Sequence, residues 1–196
     1  MDMALSSDVD VIRLLTALGE QFAAARIRYE LVVIGGSALL ATGLTRRATR
    51  DVDLVSLLDG GALIDPRPLP EQLLAACDRV AFDFGLPADW LNAAPAGLLD
   101  FGLPDGFVER LERRDLGPAL TVWFASRFDQ IHFKLYAVAD QGPGKHEADL
   151  RRLAPSPEEL LAAARWTRTH DPSDGFRQEF LAALAHFGVD DADLGT

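Results

Sequence analysis

Residues 29–57 read YELVVIGGSALLATGLTRRATRDVDLVSL, and this stretch decides the fold. Its first six residues are rich in Leu, Val and Ile and end at Gly35 and Gly36, which predicts a buried strand followed by a tight turn. Ser37 can cap a short helix over residues 38–42. The order strand, turn and helix predicts the start of an α/β domain.

A second strand is predicted after the basic stretch 46–50, because residues 51–57 alternate polar and apolar side chains. Asp51 and Asp53 fall on the same face of this strand, about 6.5–7 Å apart along it. Two such carboxylates can hold Mg²⁺ between themselves and the phosphates of a substrate. The two glycines let backbone N–H groups approach an anion closely. The pattern therefore predicts a phosphate site beside a divalent cation.

The rest of the chain is predicted to be mostly helical. Residues 59–70 are expected to form a loop, and residues 85–118 only short elements, because both regions are rich in Gly and Pro. Residues 156–159 form a capping box with proline at the first helical position. The expected helices are Asp8–Arg26, Glu71–Phe84, Phe128–Ala139, Pro157–Thr169 and Gly175–Phe187, and a further strand is expected at Leu120–Ala125.

Composition narrows the class of protein. The 196 residues are 48% hydrophobic and 25% charged, which is typical of a folded globular protein. Cys77 is the single cysteine, so neither an internal disulfide nor a cysteine-rich zinc site is available. The longest apolar run is shorter than the ~20 residues of a membrane span, and the first residues carry no basic signal region. We expect a cytoplasmic protein, and the net charge of −11 argues against one that coats nucleic acid.

The glycine turn and the two aspartates together resemble a known signature. Gly36-Ser37, thirteen intervening residues and then Asp51-x-Asp53 resemble the motif of the polymerase-beta-like nucleotidyltransferases. The longer stretch GGSALLATGLTRRATRDVDLV, residues 35–55, resembles the AbiEii-type branch of that superfamily, which includes the MenT toxins. The resemblance implies a minimal nucleotidyltransferase palm with a mixed sheet.

Two later segments are similar to further pieces of the same branch. FDQIHFKLYAVAD, residues 128–140, is similar to a helix that contributes a lysine, and KHEADLRRL, residues 145–153, to a segment that contributes an acidic residue. The resemblance therefore places the lysine at Lys134 and the acid at Asp149. It implies that Asp149 orients the lysine, the metal or the acceptor.

The resemblance also implies a full set of site residues. Mg²⁺ would lie on Asp51 and Asp53, and the catalytic residues would be these two together with Lys134 and Asp149. The residues implied for phosphate binding are Gly35, Gly36, Ser37, Arg47 and Arg50. No clear third carboxylate accompanies the aspartate pair, so the general base stays open between Asp149 and Asp129.

A domain division and a function follow from the same resemblance. The catalytic domain would span residues 1–154, and residues 155–196 would form a C-terminal helical portion. Members of the branch act as toxins that attach nucleotides to the 3′ end of tRNA and are inhibited by a partner antitoxin. NMP transfer from an NTP to tRNA is therefore the first hypothesis, with tRNA and an antitoxin as partners. The charge of −11 also fits transfer to an aminoglycoside-like molecule or a protein hydroxyl, and a non-catalytic nucleotide-binding member is a third interpretation.

Several side chains have more than one interpretation at this stage. Arg46, Arg47 and Arg50 can steer a triphosphate or an RNA acceptor, or simply offset acidic groups nearby. Lys134 can bind phosphate or extend along the surface with its charge in water. Trp123 can stack on a base, but its predicted strand favours a place in the core.

Overall fold

A computed structural model describes Leu5, residues 7–171 and residues 173–189. The chain forms two compact units, residues 1–126 and residues 127–196. The predicted boundary at residue 154 differs from this division, because the helices on both sides of it pack on the helix that opens the second unit. How far the catalytic domain extends stays a prediction.

The first unit opens with helix α1, Asp8–Ala25, as the sequence predicts. A capping box fixes its start: the Ser7 hydroxyl accepts a hydrogen bond from the Asp10 N–H at 3.2 Å, and the Asp10 carboxylate accepts one from the Ser7 N–H at 3.0 Å. Arg26 ends the helix in the left-handed conformation. The buried apolar face of α1 consists of Val11, Leu14, Leu15, Leu18 and Phe22.

A mixed sheet forms the frame of the first unit. Its strands are β1 Tyr29–Ile34, β2 Val52–Asp59, β3 Ala62–Ile64, β4 Leu91–Asn92, β5 Glu112–Asp115 and β6 Leu120–Phe124. The order is β3-β2-β1-β6-β5, with β4 beside β2, which makes six strands in the described residues. β1 is antiparallel to β2 and parallel to β6. The predicted α/β class with a mixed sheet is thereby confirmed.

The helices of the first unit cover the sheet. They are, after α1, α2 Gly35–Ala41, α3 Glu71–Phe84 and the short α4 Leu98–Phe101. Helices α1 and α3 pack on each other, and their apolar faces share one core with Leu31 and Val33 of β1. Trp90 is fully buried in this core, and its Nε1 donates to the Cys77 carbonyl at 3.1 Å. Burial raises the pKa of the Cys77 thiol to about 12.

The expectation that Trp123 lies in the core is wrong. Strand β6 buries Val122 and Phe124, so Trp123 points to the opposite face of the sheet and is half-buried. There its Nε1 donates to the Glu30 carboxylate at 2.7 Å, and the Arg113 guanidinium lies 5.6 Å from the ring centre. This contact joins β5, β6 and β1 on one face of the sheet.

The second unit is helical in its described residues. Its helices are α5 Arg127–Gln141, α6 Lys145–Leu153, α7 Pro157–Arg168 and α8 Asp174–Ala185. Helices α5, α7 and α8 lie close to their predicted ranges. Helix α5 packs on the other three. The predicted capping box is confirmed, since the Ser156 hydroxyl accepts from the Glu159 N–H and the Glu159 carboxylate accepts from the Ser156 N–H. No helix in the described parts of either unit has the length and apolar character needed to cross a membrane.

Candidate nucleotide site

The antiparallel pairing of β1 and β2 brings the glycine turn and the aspartates together. In this register Ile34 is opposite Asp53, so the carboxylate of Asp53 lies next to the residue that follows β1, Gly35. Gly35 has a φ of +75°, in the region that favours glycine. The Asp53 carboxylate occupies the space that a Cβ on Gly35 would need. Gly35 is therefore required both by its backbone conformation and by the position of Asp53.

Asp51 and Asp53 have the orientation that the alternating pattern predicts. Both side chains are half-buried, whereas Val52 and Leu54 are completely buried in the core. The two carboxylates therefore point to the side of the chain opposite Val52 and Leu54. Carboxylate oxygens are the ligands that Mg²⁺ prefers, and two of them with phosphate oxygens and water are a usual set. The residues present thus fit a divalent cation.

Thr49 forms a hydrogen bond with Asp51, a contact that the sequence did not predict. Its hydroxyl donates to Asp51 Oδ1 at 3.1 Å. On its other side, Thr49 Oγ1 lies 3.0 Å from where a Cβ on Gly36 would stand, so Gly36 leaves the room that Thr49 fills. A threonine two residues before an aspartate carries no periodicity signal, and only the three-dimensional position identifies it.

The arginines that precede the aspartates differ in their surroundings. Arg47 is half-buried: its Nη1 donates to the Ala48 carbonyl at 3.2 Å, and its Nη2 lies 3.4 Å from the Cβ position of Gly36. Arg46 and Arg50 are exposed. Arg47 is therefore the arginine that the structure brings to the glycine turn.

Ser37 does not cap α2, which corrects the sequence prediction. The helix begins at Gly35, and the Ser37 side chain is completely buried within it. Within the described chain, Ser37 Oγ has no hydrogen-bond partner. A buried hydroxyl without a partner carries a free-energy cost, which a bound ligand can remove.

The second unit contains the other two predicted catalytic residues. Lys134 Nζ of α5 and Asp149 Oδ2 of α6 form an ion pair of 3.0 Å, with side chains that are 5% and 2% exposed. The alternative of a surface lysine with its charge in water is therefore wrong. Asp129, the second candidate for the general base, is also completely buried on α5. Their roles in catalysis stay predictions.

The histidines have structural contacts. His132 Nδ1 donates to the Phe128 carbonyl at 2.9 Å, and His146 Nε2 lies 3.1 Å from Gln141 Oε1. In the described residues, no group of three or more His, Cys, Asp or Glu side chains has the geometry of a metal site.

A mixed sheet with paired carboxylates beside a glycine turn is consistent with a nucleotidyltransferase palm. Comparison with protein families matches residues 11–143, about two thirds of the chain, to the family described as nucleotidyltransferase of unknown function (DUF6036). The chain belongs to this nucleotidyltransferase family. The matched range includes Asp51, Asp53 and Lys134 and ends before Asp149. A search of curated proteins found no significant match.

Proposed function

We propose that this chain transfers an NMP group from an NTP to an acceptor hydroxyl, with Mg²⁺ bound by Asp51 and Asp53. One observation carries the proposal: the Asp53 carboxylate lies directly against Gly35, so the metal-binding carboxylates and the phosphate-binding turn are adjacent. Membership of a nucleotidyltransferase family supports the same reaction. A nucleotide is therefore the proposed substrate.

The residues of the glycine turn and the nearby Arg47 have proposed roles in this reaction. Gly35 and Gly36 leave the room that Asp53 and Thr49 occupy, so the carboxylate lies beside the backbone proposed to bind the triphosphate. Ser37 Oγ donates to a phosphate oxygen, which supplies the partner that the buried hydroxyl lacks among the described residues. Arg47 adds positive charge beside the turn. When bound, Mg²⁺ neutralises the triphosphate and favours departure of pyrophosphate.

The transfer step is a substitution at the α-phosphorus. The acceptor oxygen forms a bond to this phosphorus while the bond to the pyrophosphate oxygen breaks. The acceptor proton passes to a general base, for which Asp149 is the first candidate and Asp129 the second. Asp149 also fixes the ammonium of Lys134 in a buried ion pair, which supports a role in orienting the lysine for phosphate.

For the acceptor, we propose the 3′ end of tRNA, with the chain acting as a toxin that a cognate antitoxin inhibits. The support is the resemblance of residues 35–55, 128–140 and 145–153 to the AbiEii and MenT branch. This finer assignment is separable from the reaction itself. An aminoglycoside-like molecule or a protein hydroxyl can serve as acceptor with the same nucleotide site.

The experiment compares wild type with Asp53→Asn and a matched control, Asp59→Asn. Asp59 is an exposed residue at the end of the same strand, so its substitution tests for a general effect of lost charge. Each protein is incubated with Mg²⁺, one α-labelled NTP and total tRNA, an aminoglycoside mixture or a protein extract. We expect labelled tRNA with wild type and Asp59→Asn, and none with Asp53→Asn or with EDTA.

The other outcomes are equally informative. Label on the small molecules or on protein, with none on tRNA, would contradict tRNA as the acceptor. It would still support NMP transfer as the reaction. Equal labelling by Asp53→Asn would remove the assigned site. Mg²⁺-dependent NTP binding without transfer to any acceptor would contradict the proposed transfer activity and favour a non-catalytic nucleotide-binding protein.

A further inference from the structure

We propose that Thr49 is a positioning residue that sets the orientation of the Asp51 carboxylate for metal binding. The inference rests on the proposed function, because it assigns Asp51 to a divalent cation. It adds a residue outside the motif, which contains only the glycine turn, the serine and the two aspartates. Its basis is the set of contacts that surround Thr49.

The hydroxyl of Thr49 is committed to Asp51. Thr49 Oγ1 donates to Asp51 Oδ1 at 3.1 Å, and the Thr49 side chain is buried, with 7% exposure. This hydrogen bond occupies Asp51 Oδ1 and limits rotation of the Asp51 carboxylate. The direction in which the other oxygen, Oδ2, points is thereby fixed. Because threonine is β-branched, its own χ1 angle is also restricted. The restricted Thr49 side chain therefore restricts the orientation of the Asp51 carboxylate.

The backbone of Thr49 is held from one side by the start of the described chain. The Leu5 N–H donates to the Thr49 carbonyl at 2.8 Å, and the Thr49 N–H donates to the Leu5 carbonyl at 2.9 Å. The Leu5 side chain is 1% exposed and belongs to the main core of the first unit. Thr49 is therefore tied to the core, although it lies in the connection between α2 and β2.

The side chain of Thr49 packs closely against Gly36. A Cβ on Gly36 would stand 3.0 Å from Thr49 Oγ1 and 3.3 Å from Thr49 Cβ. The threonine thus packs on the glycine turn while it bonds to the aspartate. One residue connects the proposed phosphate-binding turn to the proposed metal ligand, and a movement of Thr49 would disturb both.

A buried threonine can also serve packing alone, and two substitutions separate these roles. Thr49→Val keeps the shape and removes the hydroxyl, whereas Thr49→Ser keeps the hydroxyl and removes a methyl group. A packing role predicts that Ser is the more harmful change. A positioning role predicts the reverse, with function retained by Ser and lost with Val.

The test measures Mn²⁺ affinity by titration calorimetry and electron paramagnetic resonance in the presence of a non-hydrolysable NTP. Thr16→Val is the control, because Thr16 loses a hydroxyl that donates to the Ile12 carbonyl within α1 at 2.7 Å. We expect Thr49→Val to weaken Mn²⁺ binding roughly tenfold, the range of one hydrogen bond to a charged group, while Thr49→Ser and Thr16→Val stay near wild type. Melting temperatures of all variants check folding.

Two results would overturn the inference: Mn²⁺ affinity in Thr49→Val equal to wild type, or a loss in Thr49→Ser as large as in Thr49→Val. These results are distinct from a failure of the proposed function. If the wild type binds Mn²⁺ with nucleotide but transfers nothing, the proposed transfer reaction is contradicted and the proposed role of Thr49 still stands. If the wild type binds no Mn²⁺ with any of the NTP analogues, both the proposed metal-dependent function and the proposed role of Thr49 are contradicted.

Discussion

The carboxylate of Asp53 fills the space in which Gly35 would carry a Cβ. Gly35→Ala therefore has two effects. Alanine is disfavoured at a φ of +75° by about 1–2 kcal/mol, and its methyl group must displace Asp53. We expect this variant to lose that stability and to transfer NMP roughly a hundredfold more slowly, because a small misplacement of a catalytic group has effects of that size.

Gly43→Ala is the matched control for this prediction. Gly43 has the same φ of +75°, but nothing lies within 4 Å of its Cβ position. Denaturant unfolding should show the cost of the positive φ alone for Gly43→Ala and a larger loss for Gly35→Ala, whose methyl group must also displace Asp53. The transfer rate should fall only for Gly35→Ala. A Gly35→Ala protein with the wild-type transfer rate would show that the position of Asp53 is not needed.

The buried ion pair between Lys134 and Asp149 makes a prediction about stability. Lys134→Met or Asp149→Asn leaves the other partner without its buried counter-charge, which typically costs roughly 3–5 kcal/mol in unfolding free energy. The double variant should lose less than the sum of the two single losses. Urea unfolding of all four proteins measures this difference.

Glu147→Gln is the control for the ion-pair cycle. It removes the contact of Glu147 with Arg151, which is 2.8 Å long but exposed on the Arg151 side. Solvent screens such a pair, so its loss should be much smaller than that of the buried pair. Strictly additive losses for Lys134→Met and Asp149→Asn would mean that the two groups do not stabilise each other.

The imidazole of His170 predicts a dependence of stability on pH. Burial lowers the pKa of His170 below its ordinary value, and the hydrogen bond to the Trp166 carbonyl opposes this shift only in part. The unfolded chain then takes up a proton at about pH 6.5, before the folded chain does. Stability should therefore fall as the pH drops through about 6.5 toward the lower pKa of the folded state.

His170→Phe tests this prediction, because phenylalanine keeps a ring beside Trp166 but cannot titrate. Unfolding free energies of both proteins are measured from about pH 7.5 to about pH 5.5, above the range in which carboxylates titrate. We expect the wild type to lose stability relative to the variant as the pH falls. Parallel pH profiles would contradict the assignment of the shift to His170.

Arg127 makes a prediction about the second unit. Its guanidinium donates to the Leu153 carbonyl at 2.9 and 2.7 Å and to the Glu159 carboxylate at 2.6 Å, and so joins the end of α6 to the start of α7. Lysine cannot make this forked set of bonds, so Arg127→Lys should lose about 1–2 kcal/mol in unfolding free energy. Arg79→Lys is the control and should change little, because Arg79 makes one exposed hydrogen bond, to Gln21.

The elements with clear periodicity were predictable from the sequence. Helix α1 has a regular apolar face and a capping box, and β1 is buried as its apolar run indicates. Strand β2 follows its alternating pattern from Val52 to Leu54, but Val55 and Ser56 are both completely buried where its pairing with β1 shifts register. Strand β5 was not predicted, because its four residues are all exposed and charged and it exists through its pairing with β6. The prediction of a loop over residues 59–70 is also wrong in part, because the mostly exposed strand β3, Ala62–Ile64, pairs there with β2. Local pattern therefore missed edge strands that form through pairing with a neighbouring strand.

The candidate site was predictable in part. The proximity of Gly35 and Asp53 followed from the order of a strand, a turn and a second strand. Thr49 could not be found in this way, because its role depends on a backbone pairing with Leu5 and on the space left at Gly36. The pairing of Lys134 with Asp149 came from resemblance, since no sequence rule relates positions on two different helices.

The parallel pairing of β1 with β6 has a consequence for synthesis of the chain. Glu30 and Trp123, which are joined across these strands, are 93 positions apart in the sequence. The β1 and β2 pair can form from residues close together, but β1 has no second neighbour until β6 has left the ribosome. During that interval an apolar strand edge is open to pairing with other chains, so the growing polypeptide is most vulnerable to aggregation before residue 124 emerges.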